Sequence, residues 1–392
     1  MFGFKKLLYL DYASATPVHP EAAQALSEAM YVFANPGALH AEGVAAKRLL
    51  TSSRERIAKQ LGCKARELIF TSGLTESNTI AIVGTARALE SRRRSLLGTH
   101  WVVSAIEHSS VLECFTEVER MGGTVTHVEP DPNGLITPEQ VAKALRPETV
   151  FVSVGWGNNE IGTVQPLSDI ARVLHRYEKD NKTTVLFHSD AGQAPLYLSP
   201  QVNSLGVDLM SLGSGKLYGP RGVGALYLSN RVTALPVTHG GGQERGLRPG
   251  TEDPALAAGF AEAFNVITLE RDAETKRLKK LRDDFAREIT ARFPGTLING
   301  NLKHALPHML NISIPGERTG EYLVLALDHA GVALSTKSAC REGEASSHVV
   351  AALGGEEWRA RNTLRFSLGR ETTEAELKRT LSVLEKILHP DT

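Results

Sequence analysis

The chain has 392 residues, 42% of them apolar, which is enough for a sizeable core and within the length range of two or three domains. Lys+Arg and Asp+Glu both number 44, so the formal charge is zero, which argues against nucleic acid or a membrane surface as the main partner. The three cysteines, Cys63, Cys114 and Cys340, lack paired spacing and make neither a disulfide framework nor a metal site. Met1 to Lys6 lacks the apolar stretch of a signal peptide, and no run approaches the ~20 apolar residues of a membrane span. The expectation is a soluble protein of the cytoplasm.

Strand-like and helix-like runs alternate through the first two thirds. Leu68 to Thr71 precedes a glycine turn and a helical stretch. Trp101 to Ser104, Val125 to Val128 and Val150 to Val154 follow, each with a helical segment between. Val185 to His188 leads to Asp190, Val207 to Leu212 leads to Lys216, and Gly224 to Leu228 completes the set. Several of these runs are apolar on both faces, as in a buried, mostly parallel sheet of an α/β domain. The glycine-rich His239 to Glu244 interrupts the order. Thr251 to about Phe293 then reads as one long helix or two in series. Strands over Leu310 to Ile314 and Thr363 to Phe366, with helices over Gly320 to Ala330 and Thr373 to Leu388, make a smaller α+β domain.

Ligands of such sheets collect at the carboxyl ends of strands. Thr75, His108, Asn159, Asp190 and Lys216 all fall just after strand-like runs, so one sheet edge can gather them. A lysine able to form an imine and an acid able to pair a ring nitrogen, each just past a strand, is the layout of a pyridoxal phosphate (PLP) enzyme. Each residue has a plainer reading too. Thr71 to Asn78 can turn N–H groups and the Thr75 hydroxyl toward a phosphate, or be a simple N-cap. Asp190 can pair a pyridinium or cap the next turn, and Gln193 stands three residues on, within reach of a phenolate oxygen. His108 can stack on a ring and move protons, or be one structural histidine among thirteen. Cys340 sits in a small, polar stretch with Lys337 and Arg341 to favour its thiolate, or is an incidental surface cysteine. Arg365 can grip a carboxylate or make a surface ion pair.

Together these segments resemble the cysteine desulfurases (the NifS/IscS-like type), enzymes of the class-V aminotransferase family, over Leu8 to about Leu388. The resemblance rests on Tyr9-Leu10-Asp11-Tyr12-Ala13, Asn35-Pro36, Phe70 to Gly73 with Thr75 to Asn78, Glu107-His108 and Asn158 to Gly162. It continues through Asp190 with Gln193, Lys216 with Tyr218-Gly219-Pro220, Gly240 to Arg245, Arg248 with Gly250-Thr251, Ser338-Ala339-Cys340 and Arg365 to Arg370.

The resemblance implies a PLP-dependent transferase of fold type I: a large domain over 15–260 around a mostly parallel seven-stranded sheet, and a small α+β domain from 1–14 and 261–392. Lys216 then carries the cofactor, Asp190 pairs its ring nitrogen, Gln193 its phenolate oxygen, and His108 stacks on the ring. Thr75 and the Gly213-Ser214-Gly215 turn hold the phosphate, with Thr251 donated by the partner of a homodimer. Asn159 contacts cofactor or substrate, and Asn35 and Arg365 hold the substrate carboxylate. Cys340 is the nucleophile that takes sulfur from L-cysteine, leaving L-alanine, and passes it to an acceptor or scaffold protein for iron–sulfur cluster assembly or other sulfur transfer. The spacing from Cys340 to Leu353-Gly354 resembles the subgroup with a long cysteine loop.

The chain departs from the family at Gly213-Ser214-Gly215-Lys216, where Ser-Gly-His-Lys is usual, so a serine and a histidine that touch the phosphate are both absent. Ser214 is the expected substitute for one of them, and weaker cofactor retention is the expected consequence. Three other readings stay open: a selenocysteine lyase or a transaminase on the same fold, and a non-catalytic subunit that kept the fold.

Overall fold

The computed structural model describes residues 7–337 and 346–389. Twelve strands are present among them: β1 (Leu8–Tyr9), β2 (Leu68–Thr71), β3 (His100–Ser104), β4 (Thr124–Val128), β5 (Thr149–Ser153), β6 (Leu186–Asp190), β7 (Leu209–Gly213), β8 (Gly224–Leu228), β9 (Leu297–Ile298), β10 (Met309–Ser313), β11 (Val332–Ala333) and β12 (Thr363–Ser367).

Seven of them form one sheet in the order β2-β8-β7-β6-β5-β3-β4. Its β7-β6-β5-β3-β4 portion is parallel throughout. β8 runs antiparallel to both neighbours, with Gly213 opposite Gly224 and Phe70 opposite Ala225. Every residue of β2, β3, β7 and β8 is buried, as a sheet covered on both faces requires. The edge strand β4 presents Thr124 and His127 to solvent instead, and polar residues at an edge discourage further pairing.

Two small sheets complete the chain. β12-β10-β9 is antiparallel, with Asn311 opposite Arg365. β1 pairs in parallel with β11, so Leu8 lies beside Val332. This brings the start of the chain against its last third and carries Asp11 to Ser14 toward the carboxyl ends of the large sheet. The Pro254–Arg292 helix is one unbroken run of 39 residues. Pro254 opens it, and the Asp253 carboxylate accepts from the Ala255 and Leu256 amides, both at 2.9 Å. Its first half packs on the helices Pro20–Ala29 and Ala41–Leu61, and its second half reaches β10 and the Glu374–Leu388 helix. The fully buried Arg282 fastens that second half by donating to the Leu302 and Leu306 carbonyls, each at 3.0 Å.

Candidate functional site

The carboxyl ends of β2, β3, β5, β6 and β7 surround a cavity of about 230 Å³. Thr75, His108, Asn159, Asp190, Gln193, Lys216 and Arg365 all line it. Parallel strands that end at one level deliver their following residues to one place, which is why positions up to 290 residues apart in sequence converge here.

Lys216 follows β7 through the short turn Ser214–Lys216. Its Nζ donates to the carbonyls of Ala13 and Ser14, both at 2.8 Å. On the neighbouring strand, Asp190 ends β6. Its Oδ2 accepts from Asn78 Nδ2 at 2.7 Å, and its Oδ1 accepts from the Gly192 amide at 2.9 Å. Gln193 is buried; its Nε2 donates to the Ala13 carbonyl at 2.8 Å, and its Oε1 finds no hydrogen-bond partner among the described residues. The Ala13 carbonyl therefore serves Lys216 and Gln193 together.

His108 is the N-cap of the Ser109–Arg120 helix, its Nδ1 accepting the Ser110 amide at 3.1 Å. An accepting Nδ1 leaves the ring proton on Nε2. Burial holds this imidazole below its ordinary pKa, against the upward pull of Asp190 and with a smaller downward push from Lys216. His108 thus caps a helix and lines the cavity at once. Beside it, the buried Glu107 also lines the cavity, its Oε1 accepting the Gly155 amide at 2.7 Å. Burial pushes this carboxyl up to about 8; the Gly155 amide opposes the shift, and the nearby Asp190 adds to it.

Arg365 is central in β12 and 1% exposed, which excludes a surface ion pair. Its guanidinium donates to Asp11 Oδ1 at 2.6 Å, Ser14 Oγ at 2.8 Å and the Asn159 carbonyl at 3.0 Å. Its buried Nε has no hydrogen-bond partner among the described residues, and a buried donor of that kind suits an incoming carboxylate.

Other expected residues lie elsewhere. Ser214 is fully buried and does not line the cavity; its hydroxyl is directed at Gly219, where an added Cβ would collide with it. Its hydroxyl oxygen finds no hydrogen-bond partner among the described residues. Asn35 and Thr251 are exposed and outside the cavity lining, and Asn35 Oδ1 accepts the Gly37 amide at 2.8 Å. Cys340 lies outside the described residues. Burial pushes the Cys63 and Cys114 thiols up to about 12 and about 11, which makes both poor nucleophiles. Among the described residues no group of three or more His, Cys, Asp or Glu could hold a metal ion, and no helix is long and apolar enough to cross a membrane.

Four side chains that spacing did not single out belong to the site: Asn78, which orients Asp190; Asp11 and Ser14, which hold Arg365; and Glu107. The sequence signal for Asn78 was its place one helical turn after Thr75.

A half-buried, amide-held carboxylate, a lysine just past the next strand and a neutral histidine lining the same cavity fit a pyridine ring whose nitrogen must stay protonated. The donor set therefore fits pyridoxal phosphate. Known proteins agree. The aminotransferase class-V family model matches residues 8–380. "Cysteine desulfurase IscS" of Dictyoglomus turgidum is 39% identical over 386 residues, 98% of this chain and 95% of that protein. The protein of the same name from Pseudomonas fluorescens is 39% identical over 377 residues, 94% of this chain and 90% of its own. A solved "NifS-like protein" superposes with a TM-score of 0.88 at 32% identity, covering 97% of this chain and 99% of that one. The structure titled "SspA in complex with cysteine" does so with a TM-score of 0.78 at 32% identity, over 92% and 98%.

Proposed function

The chain belongs to the class-V aminotransferase family, among the cysteine desulfurases, and from that membership we propose that its cavity converts L-cysteine to L-alanine and delivers the sulfur to Cys340. The observation that carries this reading is the placement of Lys216 and Asp190 at the ends of adjacent strands, lining one cavity with His108 and Arg365.

Pyridoxal phosphate bound at Lys216 supplies an electron sink for the bond broken at the substrate α-carbon. Asp190, kept in place by Asn78 and the Gly192 amide, holds a proton on the ring nitrogen. Gln193 Nε2 would keep a second hydrogen for the cofactor's phenolate oxygen, and His108 would stack on its ring. Arg365 takes the substrate carboxylate through its buried Nε edge, with Asp11 and Ser14 fixing the fork. Lys216 Nζ is the base that accepts the α-proton. The Cys340 thiolate then attacks the substrate sulfur: the new S–S bond forms as the C–S bond breaks, and the electron pair leaves with carbon. Carbon gains a proton to give alanine, and Cys340 keeps the extra sulfur as a persulfide for an acceptor protein.

The working unit is a homodimer. Tyr31, Phe33 and Leu39 are 85%, 86% and 98% exposed on one short segment, an apolar surface that a second copy would cover. Thr251, exposed and outside its own cavity, would reach the partner's.

Borohydride reduction followed by peptide mass spectrometry tests the centre of this reading, with a pyridoxyl adduct expected on Lys216 and extra sulfur expected on Cys340 after L-cysteine. Cys340→Ala should keep the bound cofactor's visible absorbance and lose alanine production. An unmodified Lys216, or undiminished turnover in Cys340→Ala, would overturn it.

A further inference from the structure

The two glycines that replace family side chains before Lys216 differ in what surrounds them. A Cβ on Gly215 would meet nothing closer than Arg221 Cγ at 3.2 Å, and Arg221 is an exposed, flexible side chain able to give way. A Cβ on Gly213 would lie 2.7 Å from Leu74 Cγ, 3.0 Å from Leu74 Cδ1 and 3.4 Å from the Leu74 amide nitrogen. On the other side of Leu74, a Cβ on Gly192 would lie 2.8 Å from Leu74 Cδ1 and 3.1 Å from Asp190 Oδ1. Leu74 thus sits between two bare backbones, at the ends of β6 and β7, and lines the cavity beside Asp190. It opens the helical run that begins at Leu74–Thr79, so its backbone cannot retreat without moving that helix.

We propose that Leu74 is a cofactor-positioning residue: its side chain is wedged between Gly192 and Gly213, forms the apolar wall that seats the ring edge next to Asp190, and makes glycine obligatory at 213. The serine missing at 213 is then excluded by packing. The missing histidine at 215 is not, and its place remains sterically open. An apolar wall here also keeps water from one side of the Asp190 carboxylate, which strengthens the interactions that carboxylate makes. This inference rests on the cofactor site proposed above, but its packing half can be tested without the cofactor.

The test is a double-substitution cycle in the full-length protein, Leu74→Ala against Gly213→Ser, with Gly192→Ala and Gly215→His in parallel. Thermal unfolding is followed with and without added pyridoxal phosphate, and the cofactor dissociation constant is taken from absorbance titration. Gly213→Ser alone should lower Tm by roughly 2–5 °C and weaken cofactor binding about tenfold, because overpacking strains a closed site. Adding Leu74→Ala should return both values to those of Leu74→Ala itself, and should rescue Gly192→Ala likewise. Gly215→His should leave Tm unchanged.

Strict additivity of the two substitutions, or a Gly213→Ser protein as stable as the parent, overturns the wedge. If Gly213→Ser is insoluble, recovery of soluble protein in the double variant counts as the rescue, and its failure to recover counts against it. A missing Lys216 adduct in the parent protein would instead defeat the cofactor reading while leaving the packing result intact.

Discussion

At the residue scale, Glu107 and Arg365 make opposite demands on a buried site. Glu107 has an ordinary value of 4.5 and a folded value of about 8, so the folded chain holds this proton more tightly than the unfolded chain. The stability that follows is present in full below 4.5, drains as pH rises, and is gone by about 8. Glu107→Gln keeps an acceptor for the Gly155 amide without the titration. Its urea midpoint should therefore gain on the parent's between pH 5 and 8.5, and a constant difference across that window would show that the carboxyl does not hold its proton in the folded protein. Arg365 must instead stay charged and correctly oriented. Arg365→Lys keeps the charge but loses the fork, so KM for L-cysteine should rise roughly 10- to 100-fold while cofactor absorbance persists. Lys216, Asp190 and Arg365 were legible in the sequence because each ends or interrupts an apolar run. The segments holding Asn78 and Asp11 stood out, but the roles of these two residues did not, since their partners, Asp190 and Arg365, lie 112 and 354 positions away.

At the scale of elements, the glycine-rich segment after β8 is pinned by one buried ion pair. Glu244, with backbone in the left-handed region at φ 46°, accepts from both terminal nitrogens of Arg54 and from the Phe70 amide at 2.7 Å. Removing the carboxylate leaves that amide without its acceptor and strips Arg54 of its charged partner, with its bond to the Leu68 carbonyl remaining. Glu244→Ala should cost about 3 kcal/mol and speed hydrogen exchange across residues 239–251, measurable by denaturation and mass spectrometry. The seven apolar runs announced the large sheet well, because strands buried on both faces carry little polar interruption. The reversal of β8 was hidden, since strand direction leaves no mark on composition. So was the wide π turn at Ile80–Gly84, which extends the helix begun at Leu74 to Arg93. The two-residue strands β1 and β11 offered no period to read, although their pairing delivers Asp11 to Arg365.

At the scale of the whole molecule, exposed apolar surface and the long helix set the remaining expectations. Phe33→Glu places a charge in the surface proposed to be shared by two copies. Sedimentation should then shift from dimer to monomer, with cofactor retention falling alongside if the partner's Thr251 helps to hold the phosphate. The domain boundary expected at residue 260 falls inside the Pro254–Arg292 helix, a continuous rod of about 58 Å at the usual rise per residue. No linker composition marks that passage, because the chain crosses it without leaving helical geometry. The rod is anchored at its start by the Asp253 cap and within its second half by Arg282. Jaw-like swinging of the two ends would have to break this helix, so the expectation is that admission of an amino acid and export of its sulfur are timed by local surface rearrangements, and small-angle scattering should record the same envelope before and after L-cysteine is added.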